Sequence, residues 1–191
     1  MEKIPHFWQS IPGFFLDWDT QFYKFIIDKF QGPAHFVEIG SYKGRSSSYM
    51  AVEIINSGKN IKFDCVDTWM GSEEHQKGQY SEDQDVVNDR LFDVFNNNMK
   101  PVEGHYNAIR LDSVSAASNY PDRSLDFVFI DAAHDYESVK QDIIAWLPKV
   151  KIGGIISGHD YHHPPVVQAV AEMLPDASGV YACWMTTVKS T

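Results

Sequence analysis

Asp131, His134 and the adjacent pair His159-Asp160 are residues whose types and positions could together do chemistry. Asp131 follows the apolar run Leu125 to Ile130, and His159-Asp160 follows Gly154 to Gly158, so each set stands where a strand gives way to a loop. Two such strands lying side by side would gather carboxylates and imidazole above one sheet edge, which is the donor set a divalent cation takes. His134, three residues past Asp131, is close enough to reach the same cavity as a general base. Each residue also has a plainer reading. Asp131 or His134 could cap a helix, and His159, His162 and His163 could be solvated loop residues.

A second group lies between Val37 and Ser46, where a short apolar strand runs into a turn and opens a helix. A dinucleotide fingerprint needs G-x-G-x-x-G, but the order here is Glu38-x-Gly40-x-x-x-Gly44, with Ser41 in place of the second glycine. A carboxylate at position 38 would repel a pyrophosphate and accept hydrogen bonds from an ammonium group, such as that of a methionine moiety. Asp67 closes the next strand, Ile61 to Asp67, where an acidic side chain can take both hydroxyls of a ribose. Together these carboxylates point to S-adenosylmethionine (SAM). Singly, they fit an ordinary strand-to-helix turn and a helix cap.

The elements that must position these residues alternate along the chain. Residues 1–33 hold an aromatic segment, expected to pack across the domain or against a second copy in a homodimer, and then a helix. That helix is capped by Asp17 or Asp19, has an apolar face of Phe22, Phe25, Ile26 and Phe30, and ends at Gly32-Pro33. The strand and helix of the Gly40 turn run to Gly58, and Ile61 to Asp67 follows. Periodicity then fails, and residues 68–82 form a loop long enough to serve as a lid or substrate wall. Apolar residues from Val86 to Met99 recur at helical spacing, and His105 to Leu111 is a third strand. Asp112-Ser113 either contacts an adenine ring or caps the short helix before Pro121. Leu125 to Ile130 is a central strand, followed by a helix with Val139, Ile143, Ile144 and Leu147 on one face. Gly154 to Gly158 is the fifth strand, and Pro164-Pro165 opens a last helix. Val180 to Lys189 forms either one long strand or an antiparallel hairpin. Strands and helices in this rhythm specify one doubly wound α/β domain over 1–191, with a mainly parallel sheet and an antiparallel C-terminal edge.

The 191 residues suffice for a single core, and 43% hydrophobic with 22% charged residues is an ordinary globular composition. A net charge of −10 with no cluster among the 16 Lys and Arg counts against nucleic acid as a substrate. No run approaches a membrane span, and Met1 to Phe15 lacks the basic start and apolar run of a signal peptide. Cys65 and Cys183 lie in apolar runs, as two thiols buried in a reducing compartment would, although spacing leaves a disulfide open. The cytoplasm is the expected location.

In combination these motifs resemble class I SAM-dependent methyltransferases. The match rests on Val37-Glu38-Ile39-Gly40 with Gly44-Arg45-Ser46, Val66-Asp67-Thr68-Trp69, Leu111-Asp112-Ser113, Phe129 to Glu137, and Gly153-Gly154 to Tyr161, and covers roughly residues 34–188. The branch it resembles is the small single-domain group similar to metal-dependent sugar and macrolide O-methyltransferases. The resemblance implies that Glu38, Gly40, Ser41 and Asp67 bind SAM, with Gly44, Ser46 and Thr68 in the same motifs and Asp112 and Ser113 near adenine. It further implies that Asp131, His159 and Asp160 hold Mg²⁺ or Mn²⁺, with His134 as general base acting on a small hydroxylated acceptor. Relatives usually carry a carboxylate or amide pair where this chain has His159-Asp160, and an imidazole there shifts preference towards Mn²⁺, Fe²⁺, Co²⁺ or Zn²⁺, or signals loss of the metal. Other readings are a metal-independent methyltransferase with His134 alone as base, a nicotinamide-dinucleotide oxidoreductase, and a non-catalytic SAM-binding module.

Overall fold

The computed structural model describes residues 3–190. Seven strands form one sheet: β1 (Ala34–Ile39), β2 (Ile61–Asp67), β3 (Asn107–Arg110), β4 (Leu125–Ile130), β5 (Val150–Gly158), β6 (Ser178–Val180) and β7 (Cys183–Thr187). Their order is β3-β2-β1-β4-β5-β7-β6; the first five are mutually parallel and β7 runs antiparallel to β5. The C-terminal stretch is therefore the hairpin of the two alternatives. Strand order reverses between β1 and β4, where a doubly wound sheet opens a crevice beyond its strand ends.

Helices α1 (Asp17–Lys29), α2 (Arg45–Ser57), α3 (Gln84–Val87), α4 (Leu91–Met99), α5 (Ser113–Ala117), α6 (Tyr136–Trp146) and α7 (Pro164–Met173) cover the two faces. The period-2 alternation of strands decides which residues meet which layer. Phe36, Phe63, Cys65, Phe127 and Phe129 pack with α1, α2 and α4, whereas Val37, Ile39, Val66, Val128, Ile130 and Ile156 pack with α5, α6 and α7. Glu38, between Val37 and Ile39, must therefore point into the aromatic layer.

Several sequence expectations are corrected in detail. Phe25 and Ile144 face solvent; the buried sides of their helices are Phe22, Tyr23, Ile26 and Ile27 in α1, and Val139, Asp142, Ile143 and Trp146 in α6. The helix expected through Val86 to Met99 is split at Asp89, which takes a left-handed φ of 51°. The third strand is shorter than expected, and the fifth begins earlier, at Val150. Cys65 and Cys183 are free and buried, with β1, β4 and β5 between their strands, so at about 4.8 Å per strand they stand ~19 Å apart. No disulfide joins them.

The N-terminal aromatic segment lies across its own domain. Trp8, Ile11 and Phe15 are buried, and the Arg45 guanidinium donates to the carbonyls of Phe15 at 2.7 Å and Ile11 at 2.5 Å. Among the described residues no helix is long and apolar enough to cross a membrane.

Candidate active site

Gly40 ends β1 with φ +89°, and its amide bonds the Val66 carbonyl at 2.9 Å. A Cβ there would lie 1.9 Å from the backbone oxygen of Asp131, so only glycine lets the β1 turn approach the end of β4 this closely. Asp131 donates its amide to the Ile39 carbonyl at 2.8 Å, which fixes it beside the turn.

Glu38 is tied into the fold by its neighbours. It is buried, with Oε1 accepting from the Tyr23 hydroxyl at 2.8 Å and Oε2 from the hydroxyls of Ser41 (2.9 Å) and Ser47. Burial pushes its carboxyl up from the usual range, while hydrogen bonds from Ser47, Ser46, Tyr23 and Ser41 pull it back. Its oxygens thus accept from hydroxyls that pin α1 and α2 to the turn. Ser41 and Ser46 are drawn into the same buried cluster. Gly44, at φ +87°, packs against Phe95 and Met99 and begins α2. These residues shape the turn from beneath.

Asp67 remains partly exposed at the end of β2. One oxygen accepts the Tyr42 amide at 2.8 Å and the other the Trp69 amide at 2.7 Å. Burial raises its carboxyl and these amides oppose the rise. Asp67 ties the turn after β1 to the loop after β2, and Tyr42 and Trp69 both take left-handed φ values, 45° and 51°. Strain of this kind gathers at functional edges. The Thr68 hydroxyl accepts the Met70 amide at 3.2 Å. Asp112 caps α5 by accepting the Ser115 amide at 2.9 Å, and the Ser113 hydroxyl accepts from the Trp146 indole at 2.9 Å.

The segment beyond β2 docks on the turn through residues the sequence did not single out. Tyr42 donates its hydroxyl to Asp83 and stacks on His75 at 5.1 Å between centroids, while Lys43 reaches Asp83 at 2.7 Å and Asp85 at 2.8 Å. Lys43 and its two carboxylates lie about 40 residues apart, and only the fold pairs them.

At the end of β4 and β5 the expected convergence is present. Asp131, His134 and Asp160 each offer one donor atom, and these atoms lie within 4.8 Å of one another. His134 Nε2 is 3.0 Å from Asp160 Oδ2. It is Asp135, not His134 or Asp131, that caps α6, accepting the Ser138 amide at 3.0 Å. His159, expected among metal ligands, points between carboxylates: Nε2 lies 3.3 Å from Asp19 of α1, and Nδ1 lies 3.2 Å from Asp160 and 3.8 Å from Asp131. Burial alone would lower the His159 pKa, but Asp131, Asp160 and Asp19 outweigh it and push it up to about 11. Without a cation, a protonated His159 would offset the charge of the acidic cluster, and its ring also belongs to a second group of possible metal donors with Asp19 and Cys183. Burial raises Asp131 to about 6 against the pull of His159. Asp160 is also partly buried, yet His134 and His159 hold its carboxyl well below the ordinary range. Asp19 was legible only as a helix cap; its partner lies 140 residues away.

The carboxyl edge thus joins a strained glycine turn, a two-loop aspartate and a carboxylate–imidazole cluster. Residues 37–161 match a family described as a methyltransferase domain. The chain belongs to that methyltransferase family. Its sheet is also that of solved methyltransferases. It superposes on the O-methyltransferase NovP with a TM-score of 0.70 at 15% identity, over 91% of this chain and 80% of NovP. Against an O-methyltransferase from Bacillus cereus in complex with SAH the TM-score is 0.61 at 19% identity, over 95% and 86%. CalS11, a calicheamicin methyltransferase, gives 0.60 at 15%, over 89% and 76%. In sequence, this methyltransferase is 28% identical over 130 residues to an uncharacterized protein, y4gI, of Sinorhizobium fredii (strain NBRC 101917 / NGR234); the match spans 67% of this chain and 13% of that relative.

Proposed function

We propose that this methyltransferase moves the SAM methyl group to a hydroxyl oxygen of a small acceptor, a sugar, diol or catechol, with a divalent cation held by Asp131, Asp160 and His134. The observation that carries this reading is the meeting of those three side chains beside the Gly40 turn. Two carboxylates and one imidazole offer three donors to a divalent cation, with the imidazole favouring Mn²⁺ over Mg²⁺. The likeness to NovP and to CalS11, the latter described as a TDP-rhamnose 3'-O-methyltransferase, supports an oxygen acceptor.

In this mechanism Asp67 orients the ribose and the Gly40 turn lets the adenosyl amino acid lie against backbone. The acceptor hydroxyl passes its proton to solvent water as its oxygen attacks the methyl carbon, the carbon–sulfur bond breaks, and S-adenosylhomocysteine leaves. A cation at Asp131 and Asp160 would supply acidity to the bound hydroxyl. His159, held by Asp19, keeps a positive charge beneath the two carboxylates, and residues 68–82 wall the acceptor. Alignment of oxygen, methyl and sulfur is worth on the order of 7–11 kcal/mol in well-oriented reactions. The buried free thiols fit a reducing compartment such as the cytoplasm.

The 3.0 Å contact between His134 and Asp160 also supports a second reading, in which His134, oriented by Asp160, removes the proton without a metal. Release of S-adenosylhomocysteine from SAM, measured on catechol, diol and sugar acceptors with Mn²⁺ or with EDTA, separates the two. Chelator-sensitive turnover, abolished in Asp131→Ala with SAM binding nearly intact, is the expected result. Full activity in Asp131→Ala would refute the metal reading, and chelator-resistant activity lost in His134→Gln would establish the second.

A further inference from the structure

We propose that Asp160, His162 and His163 form a second divalent-cation site, suited to a late first-row transition metal such as Zn²⁺ or Co²⁺, which shares the Asp160 carboxylate with the cluster above. Four of the chain's eight histidines surround this one carboxylate, and they divide between its two oxygens. Oδ2 faces His134 Nε2 at 3.0 Å and His159 Nδ1 at 3.2 Å, whereas Oδ1 faces His162 Nε2 at 3.9 Å and His163 Nε2 at 4.0 Å. Each of Asp160, His162 and His163 offers one donor atom within 4.8 Å of the other two.

The loop geometry makes this arrangement reproducible. Asp160 takes a left-handed φ of 58°, and the His163 amide closes a turn on the Asp160 carbonyl at 2.8 Å, which folds both histidines back over the carboxylate. The Tyr161 amide bonds the Ala182 carbonyl at 2.8 Å and anchors the loop to the β6–β7 hairpin. Pro164 holds His163 in extended backbone, φ −81° and ψ 121°, at the start of α7. The imidazoles of His162 and His163 lie 4.6 Å apart between centroids.

Two ligands each about 2.1 Å from a tetrahedral metal sit roughly 3.4 Å apart. The contacts to Oδ1 exceed that by about half an ångström, and His162 and His163 are exposed, so their rings are free to close the gap. The donor sets also sort the metals. Two carboxylates and one imidazole at Asp131–His134–Asp160 favour a harder ion, while two imidazoles and one shared carboxylate favour zinc, cobalt or nickel. A carboxylate that bridges through its two oxygens holds metals at the ~3.5–4 Å spacing of two-metal centres. None of this depends on methyl transfer.

Equilibrium dialysis and visible absorption with Co²⁺, on chelator-stripped protein, test the site. Wild type is expected to bind two ions per chain and the His162→Gln/His163→Gln double variant one, while Asp131→Asn keeps the exposed ion. His163→Gln alone is expected to weaken that ion at least about tenfold. Equal stoichiometry in wild type and double variant, or no cobalt bound by wild type, would overturn the proposal. One ion in wild type and none in the double variant would uphold this site and refute the Asp131 cation instead. SAM calorimetry on each variant shows that the fold has survived.

Discussion

Replacing Gly40 by alanine puts a methyl group where the fold leaves no room, and the cost can be worked from two distances. The new Cβ would stand 1.9 Å from the Asp131 backbone oxygen, and real Cβ atoms essentially never come within 3.0 Å, so the turn and the end of β4 must part by at least about 1.1 Å. The left-handed backbone at φ +89° adds about 1–2 kcal/mol for a side chain. The two bonds that would stretch, Gly40 to Val66 and Asp131 to Ile39, contribute about 1 kcal/mol each. A stability loss of about 3–4 kcal/mol follows, which for a chain of this size lowers Tm by roughly 6–16 °C. Because the displacement separates the turn from Asp131, turnover is expected to fall by about 10²-fold, the scale of a 1 Å misplacement in a reacting pair. Gly153→Ala is the matched control. It has nearly the same φ, +83°, but nothing within 4 Å of its Cβ, so it carries the backbone strain alone and leaves SAM binding and turnover unchanged. Thermal melts, SAM calorimetry and product release on both variants decide the matter. If Gly40→Ala and Gly153→Ala lose equal stability and keep equal activity, the close approach to Asp131 has no functional weight.

Asp67→Ala is expected to weaken SAM by at least tenfold in calorimetry, since it removes the proposed ribose acceptor and releases the Tyr42 and Trp69 amides, whereas unchanged affinity would remove Asp67 from the cofactor site. Tyr23→Phe strips one hydroxyl donor from buried Glu38, and a buried acceptor short of its donor costs about 1–3 kcal/mol, so urea unfolding should show a loss of that size. Asp64, though buried, is held down to about 2 by His35 at 2.7 Å, Asn107 at 2.7 Å and Tyr120 at 2.9 Å. Its folded pKa lies below the ordinary 3.8, so its contribution of about 2–3 kcal/mol is present above pH ~4 and lost as pH falls through about 2. Asp64→Asn should therefore trail wild type in melts at pH 7 and converge with it on acidification; a gap independent of pH would contradict the assignment.

The alternation of apolar runs and helical periods was enough to specify a doubly wound sheet, because strand and helix periodicity are local properties of side-chain spacing. It also placed Gly40, Asp67, Asp131 and Asp160 at strand ends, since each follows directly on its apolar run. What those residues face was a different matter. Glu38 was legible as a strand-end carboxylate, but its partner Tyr23 comes from a helix whose packing no local pattern specifies, and that contact ties α1 to the turn. His159 stood next to Asp160 as a natural ligand, and only the fold shows that Asp19, 140 residues earlier, engages its other nitrogen. His134 and His159 were both available for metal or proton work, and the carboxylates each one meets come from different segments of the chain. Residue type and spacing determined which edge carries the chemistry; the pairing of charges across distant segments, set by how α1 and the β5–α7 loop pack on the sheet, decided the role of each group there.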